Sequence, residues 1–281
     1  MAILSLNEIL TQEVLQAIDG RQNVVSKTVM NLTSSTRPGM DRVSIPVSSG
    51  LAVSDITSGT RASADAMTTV ASVLMLNNIK RVHAYINYAD GIQSAQDKKA
   101  QFMLHAPGKF AGAIEDDLIA KLASAGSLDF DSASATAGVF SIADIAKAKM
   151  KLDQNNIPLN DRYLLVNAEG MELLSSFTEF QNSQRTLSAD ALQMGVVALI
   201  KGFQVIQQES SSLGTGATLK LVAYHKEAVA YAIQDGVSFV EEKNEAYAQD
   251  FLALKAIFGS VSVDGSSNLR KCVISCTTAT A

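Results

Sequence analysis

Tryptophan is absent from these 281 residues, and histidine (3), cysteine (2) and charged side chains (18%) are scarce; each shortage closes off a kind of chemistry. His83, His105 and His225 stand far from one another and from the cysteines, so no spacing matches a zinc or iron site and no metal is expected. Cys272 and Cys276 lie in a β-branched run. Four residues along a strand span roughly 13 Å, too far for a disulfide between them, and they read as small hydrophobes. Lys and Arg number 23 against 28 Asp and Glu, a net charge of -5, so the basic excess of a general nucleic-acid binder is missing. No apolar run reaches the roughly 18 residues of a membrane span. The opening Met1–Asn7 has neither a basic start nor a long apolar stretch, which argues against a secretory signal and for synthesis in the cytoplasm.

Catalytic signatures are missing in the same way. Asp116 and Asp117 are adjacent, about 100° apart on a helix, and so do not form a paired-carboxylate site. Gly214-Thr215-Gly216 lacks the lysine and hydroxyl of a phosphate loop and the third glycine of a dinucleotide fingerprint, and reads as a turn. There is no Gly-x-Ser-x-Gly elbow. The sequence nominates no catalytic residue, cofactor or metal ligand, and an enzyme is not the expected reading.

What remains is 47% hydrophobic content, enough for a substantial core. Leu6, Ile9, Leu10, Val14, Leu15 and Ile18 have the spacing of an amphipathic helix stopped at Gly20. Val24–Leu32 reads as extended, and Arg37-Pro38-Gly39 as a turn before a strand over Arg42–Val47. Between Ser48 and Ser72 the chain is rich in Ser, Thr, Ala and Gly, with Asp55, Arg61 and Asp65 as its only charges. Such a segment cannot bury a core of its own. Flanked by strands over Arg42–Val47 and Val70–Ile79, it reads as the outer part of a long hairpin.

A strand over Arg81–Tyr88 leads to a helix predicted across Asp90–Ala125. Phe102, Ala106, Phe110, Ile114, Leu118 and Leu122 recur every four residues along it, and Pro107 is expected to kink or break it. Ser141 and Asp144 have capping-box spacing ahead of a helix to about Asn155. Tyr163–Val166 reads as a buried strand, Glu169–Ser176 as a helix, Gly195–Ile206 as a strand turning at glycine, and Ser210–Thr218 as a flexible hairpin tip. The last third is strand-rich, with Leu219–Tyr224, a helical turn over Lys226–Tyr231, and Val237–Glu242. Ala246–Phe258 and Leu269–Thr277 are expected to pair with each other. The fold class is α+β.

This order of elements resembles the major capsid proteins of tailed bacteriophages, with the HK97-type fold. Particular stretches carry the likeness: Val82–Tyr88 ending in Asp90 before the long helix, and Pro158, Leu159 and Arg162–Val166 followed by the helix of Glu169–Leu174. Others are Gly195–Ile200 leading into Gly202, Phe203 and Val205, and Ala246, Phe251, Lys255, Phe258 and Gly259 near the end. The resemblance implies an N-terminal arm (1–40), an extended-loop hairpin (41–79), a peripheral domain with a spine helix (80–125), an axial domain (126–225) and return strands of the peripheral domain (226–281). It implies a homo-oligomer of pentamers and hexamers forming an icosahedral head that encloses double-stranded DNA without sequence-specific binding. A portal and a possible cement protein are the implied partners. Since the arm starts almost at Met1, a separate scaffolding protein is expected. Since Ser48–Ser72 contains no lysine, a shell without covalent cross-links is expected. Asp55, Arg61 and Asp65 are the candidate intersubunit contacts. An encapsulin, a cellular compartment of the same fold, is the alternative. A hydrolase whose site forms only in three dimensions and a tail or fibre protein are the further rivals, and the latter's repeats or heptads are not seen.

Overall fold

The structure, a computed structural model, describes residues 25–37, 39–49, 68–87, 98–124, 128–132, 139–178, 180, 196–234, 238–244, 247–263 and 273–277. The described chain begins with a helical turn, α1 (Val25–Thr28), and a two-residue strand, β1 (Met30–Asn31), where a continuous extended segment is expected from sequence. Thr28 explains the turn: its hydroxyl donates to the Val25 carbonyl at 2.9 Å, a local bond that favours a helical turn over a strand. Next come β2 (Arg42–Ser49), β3 (Thr68–Met75) and β4 (Asn78–Asn87). Strands β2 and β3 pair antiparallel from Arg42 opposite Met75 to Ser49 opposite Thr68, so the expected hairpin strands are present.

A single 27-residue helix, α2 (Lys98–Ser124), follows. It runs unbroken through Pro107, where a kink or break is expected from sequence. An internal proline costs about 3 kcal/mol, and the unbroken helix buries far more than that. Ala106, Phe110, Ile114, Leu118 and Leu122 are all inside, with Phe102 partly so, and Ala111 and Ile119 widen the stripe.

The first sheet is organised by the 14-residue strand β12 (Gln249–Ser262). It pairs antiparallel with β11 (Ser238–Asn244) over its first half, with β10 (Val229–Ile233) near its end, and with β4 over ten residues; β1 adds to β10 in parallel. The second sheet has the order β5-β13-β9-β6-β8-β7, built from Phe130–Asp131, Val273–Thr277, Lys220–His225, Arg162–Val166, Phe203–Gln207 and Val196–Ile200. Two helices accompany it, α3 (Ile142–Gln154) and α4 (Ala168–Ser175). The capping box of α3 forms as its spacing suggests. Ser141 accepts from the Asp144 amide, and Asp144 accepts from the Ser141 amide at 2.9 Å.

Two strand-level expectations are corrected. Val273–Thr277 does not pair with β12; it lies in the second sheet, antiparallel to β9 and parallel to β5. Its five residues are apolar enough to be buried on both faces, and Val273–Cys276 all are, which requires an inner strand such as this one. Nor is Ser210–Thr218 a hairpin tip. It joins β8 to β9, which lie on opposite sides of β6, and it holds two short 3₁₀ turns. Asn167 fastens it by donating to the Gly214 carbonyl at 3.0 Å, and Glu169 by accepting from the Gly216 amide at 3.0 and 3.1 Å. Gly214 has φ +66, and an added Cβ would sit 2.1 Å from the Thr218 carbonyl oxygen, so only glycine fits this crossing.

Arg162, at the start of β6, is almost wholly buried and ties down the turn before it. Its guanidinium donates to the Pro158 and Ile157 carbonyls at 2.7 and 2.5 Å and to Asp153 at 2.7 Å. Tyr163 to Val166 behind it are buried on both faces, as expected for a central strand. One continuous hydrophobic core joins α2, both sheets and α3. Cys276 sits in it as a buried thiol, pushed up to about 12 by burial and therefore unreactive, while Cys272 lies outside the described residues.

Candidate assembly surfaces

Strand β10 reads Val-Ala-Tyr-Ala-Ile and is buried at every position. Period-two geometry separates it into two faces. Val229, Tyr231 and Ile233 enter the main core, whereas Ala230 and Ala232 face a second, smaller core. Cross-strand pairing sets Ala232 beside Gly259 and Ala230 beside Val261. The result is a shallow saddle of small side chains on the face of the sheet away from α2.

The base of the β2–β3 hairpin sits on this saddle. Val43, Ile45, Leu74 and Leu76 are buried there, rimmed by Met30, Leu32, Ile257, Val261 and Val263. The approach is closest at Gly259, where a Cβ would stand 2.1 Å from the Met75 carbonyl oxygen. Leu76 donates its amide to the Asp41 carbonyl at 2.9 Å, closing the base. Burying four such side chains stabilises the docked hairpin by roughly 6–12 kcal/mol before entropy. The hairpin's root is therefore fixed by apolar contact, although its sequence is polar further out. Asp55, Arg61 and Asp65 lie outside the described residues. At the root, the exposed pair Asp41 and Arg42 meet at 2.9 Å, and the hydrogen bond from Arg42 holds the Asp41 carboxyl below its usual range.

Apolar surface is left uncovered beside the saddle. Met75 on β3 is 56% exposed, Ile79 on β4 is 72% exposed and Tyr85 is 62% exposed. Tyr85 packs on Phe251 of β12 with ring centres 5.1 Å apart, and His83 lies 5.9 Å from the same ring. With Glu242, Lys243 and Asn244, Tyr85 and Phe251 line an open groove of about 470 Å³. Tyr247, at the turn between β11 and β12, is 74% exposed. Ile79 and Tyr85 share one face of β4, and large exposed side chains of this kind are characteristic of a surface that meets another protein. A second groove of about 470 Å³ is lined by Ala146, Lys149, Met150, Asp153, Gln154 and Lys201. Among the described residues, neither groove has a histidine, a cysteine or two carboxylates in its lining. Among the described residues no group of three metal-ligating side chains converges, and no helix is long and apolar enough to cross a membrane.

A family model described as phage capsid protein matches residues 66–265. The chain belongs to the phage capsid protein family. Solved head structures share its architecture. A structure from Mycobacterium phage Che8 is 18% identical, with 89% of each chain covered and a TM-score of 0.68. The capsid of Ralstonia phage GP4 is 13% identical, covering 90% of this chain and 87% of that one at a TM-score of 0.69. The head of Helicobacter pylori bacteriophage KHP40 is 12% identical, covering 90% of both chains at 0.65. No curated protein sequence matches. The fold is HK97-type, and the protein is a major capsid protein whose copies form a shell.

The saddle of this capsid protein is not among the features expected from sequence, although a signal for it exists. Small residues alternate with large ones in Val229–Ile233, and Gly259 follows Phe258 in a strand where glycine is costly. That pattern marks a face approached closely by another backbone. The approaching partner, β3, lies more than 150 residues earlier, which no local pattern can specify.

Proposed function

We propose that the chain builds the icosahedral head as pentamers and hexamers enclosing double-stranded DNA, with no catalytic role of its own. The match of residues 66–265 to the phage capsid family carries this reading and favours a phage head over an encapsulin-type compartment. In this proposal residues 1–40 are the arm and 41–79 the extended loop. Residues 80–125, with β10–β12, make the peripheral domain, and 126–225 make the axial domain; Val273–Thr277, paired with β9, goes with the axial part. The docked hairpin root supports the reading physically. A docked base fixes the root of the polar segment, and a neighbouring copy supplies the surface that this segment cannot bury by itself. Many weak contacts repeated around closed rings then sum to a stable particle. Assembly takes place in the host cytoplasm, with a separate scaffolding protein, a portal and a cement protein as candidate partners. The net charge of -5 suits a container that holds DNA without gripping it.

Negative-stain microscopy of the chain expressed with and without its neighbouring genes tests this. Round shells or capsomer rings are expected, and a monomer under every condition would count against it. Mass spectrometry of the same particles should find monomers; ladders of linked subunits would refute the noncovalent shell.

Asp55, Arg61 and Asp65 are proposed as intersubunit ion-pair partners, because they are the only charges in the loop. Arg61→Ala is expected to lower particle stability by up to about 1 kcal/mol per contact, summed over all copies. An unchanged dissociation midpoint in denaturant would remove Arg61 from the contact set.

A further inference from the structure

Glu115 is a buried carboxyl on the inner face of α2, 2% exposed, in the middle of an otherwise apolar stripe. Both of its oxygens are used. Oε1 accepts the Val25 amide at 2.6 Å and Oε2 the Ser26 amide at 3.1 Å, across some ninety residues of sequence. The segment held in this way is tied in further by Thr28, whose hydroxyl meets the Tyr224 hydroxyl of β9 at 2.6 Å, and by Val25 and Val29, which are buried in the main core. Val25 directly follows the first 24 residues of the chain. This short segment is therefore the root from which the N-terminal stretch departs, and a distant carboxyl closes its first turn.

A carboxyl buried with no cation beside it carries its charge at a desolvation cost that its proton removes. Among the described residues the charged group acting on Glu115 is Asp116, its neighbour on α2, which has the wrong sign. Tyr224, facing from β9, is neutral because burial pushes its hydroxyl far above its usual range, and the ring of Tyr163 on β6 stands 5.7 Å behind it. Lys27 of α1 is exposed. The Ser26 hydroxyl also donates to the carboxyl and, like the two amides, favours its charged form, so it is chiefly burial that holds the proton on. We propose that Glu115 works as a proton-operated clamp on Val25–Val29, seating the segment when protonated and loosening it when ionised.

The sign follows from linkage. Burial raises Glu115 from 4.5 to about 7, the two amide bonds opposing this only in part. The seated state therefore binds more protons than the released one. Seating is strongest below pH 4.5 and weakens as pH rises to about 7, above which it levels off. Between pH 5 and 8 the seating equilibrium should fall by about tenfold or more.

Hydrogen exchange of the full-length chain tests the clamp without requiring assembly, so its outcome is separate from that of the shell reading. Protection of the peptide covering Val25–Val29, corrected for intrinsic exchange and referred to β6, should drop by that factor from pH 5 to 8. Glu115→Gln should flatten the profile. A flat profile in the unsubstituted chain, or an unchanged slope in Glu115→Gln, overturns the proposal. Should Glu115→Gln fail to fold, Thr28→Val provides the second arm. Losing the bond to Tyr224 should lower protection by a constant factor at every pH and leave the slope intact. A slope that disappears in Thr28→Val would place the proton elsewhere and also overturn it.

Discussion

Gly259→Ala is expected to unseat the β2–β3 hairpin and abolish particle formation, while the main core still folds. The added Cβ would stand 2.1 Å from the Met75 carbonyl oxygen, 2.9 Å from its carbonyl carbon and 3.1 Å from Leu74 Cδ2. Two of these atoms are backbone and cannot rotate away. Either β3 lifts or β12 sinks, and β12 is held by pairing with β4, β10 and β11. The hairpin therefore yields. Overpacking at a site of this kind costs about 1–3 kcal/mol, and Val43, Ile45, Leu74 and Leu76 lose their cover if the hairpin detaches. Hydrogen exchange should show lost protection across Arg42–Ser49 and Thr68–Met75 with little change in β6 and β9. Microscopy of the same preparation should show no shells. Wild-type particle yield with a protected hairpin would mean that the saddle does not aim the loop.

Phe110→Ala is expected to have the largest effect on the subunit itself, lowering stability by about 3–5 kcal/mol. Phe110 is fully buried at the centre of the α2 stripe, edge-on to Phe258 of β12 with ring centres 6.2 Å apart and an interplanar angle of 86°. This contact joins the long helix to the sheet carrying the hairpin root, and cores of this kind collapse poorly around an aromatic-sized void. Against a typical total of about 5–15 kcal/mol the loss is severe. Phe102, on the same stripe but only partly buried, should cost less when truncated. Urea unfolding of the two variants checks the order. A loss at Phe110 below about 1 kcal/mol would mean that α2 does not depend on that pairing.

Legibility varied with how local the cause was. The α2 stripe, the Ser141–Asp144 cap and the buried strand behind Arg162 were readable because each depends on residues within one or two turns of one another. The unbroken passage through Pro107 was not readable, since the burial that offsets the proline's cost comes from distant strands. The pairing of Val273–Thr277 with β9 and β5 is not legible in its composition, because the whole sheet sets a strand's partners. The hairpin's candidate contacts, Asp55, Arg61 and Asp65, rest on composition alone.

By itself, the sequence determined the class of protein: a chain without catalytic or metal-binding patterns, with one long amphipathic helix and a polar stretch between strands that cannot bury itself. Those are consequences of side-chain chemistry at short range. Only the tertiary structure decided where the polar stretch is anchored and what holds the chain's first described turn. The saddle of Ala230, Ala232 and Gly259 becomes a seat only when β3 crosses it, and Glu115 becomes a clamp only when Val25 and Ser26 fold back onto it. Both depend on backbone atoms far apart in the chain meeting at contact distance, which packing settles and local pattern does not.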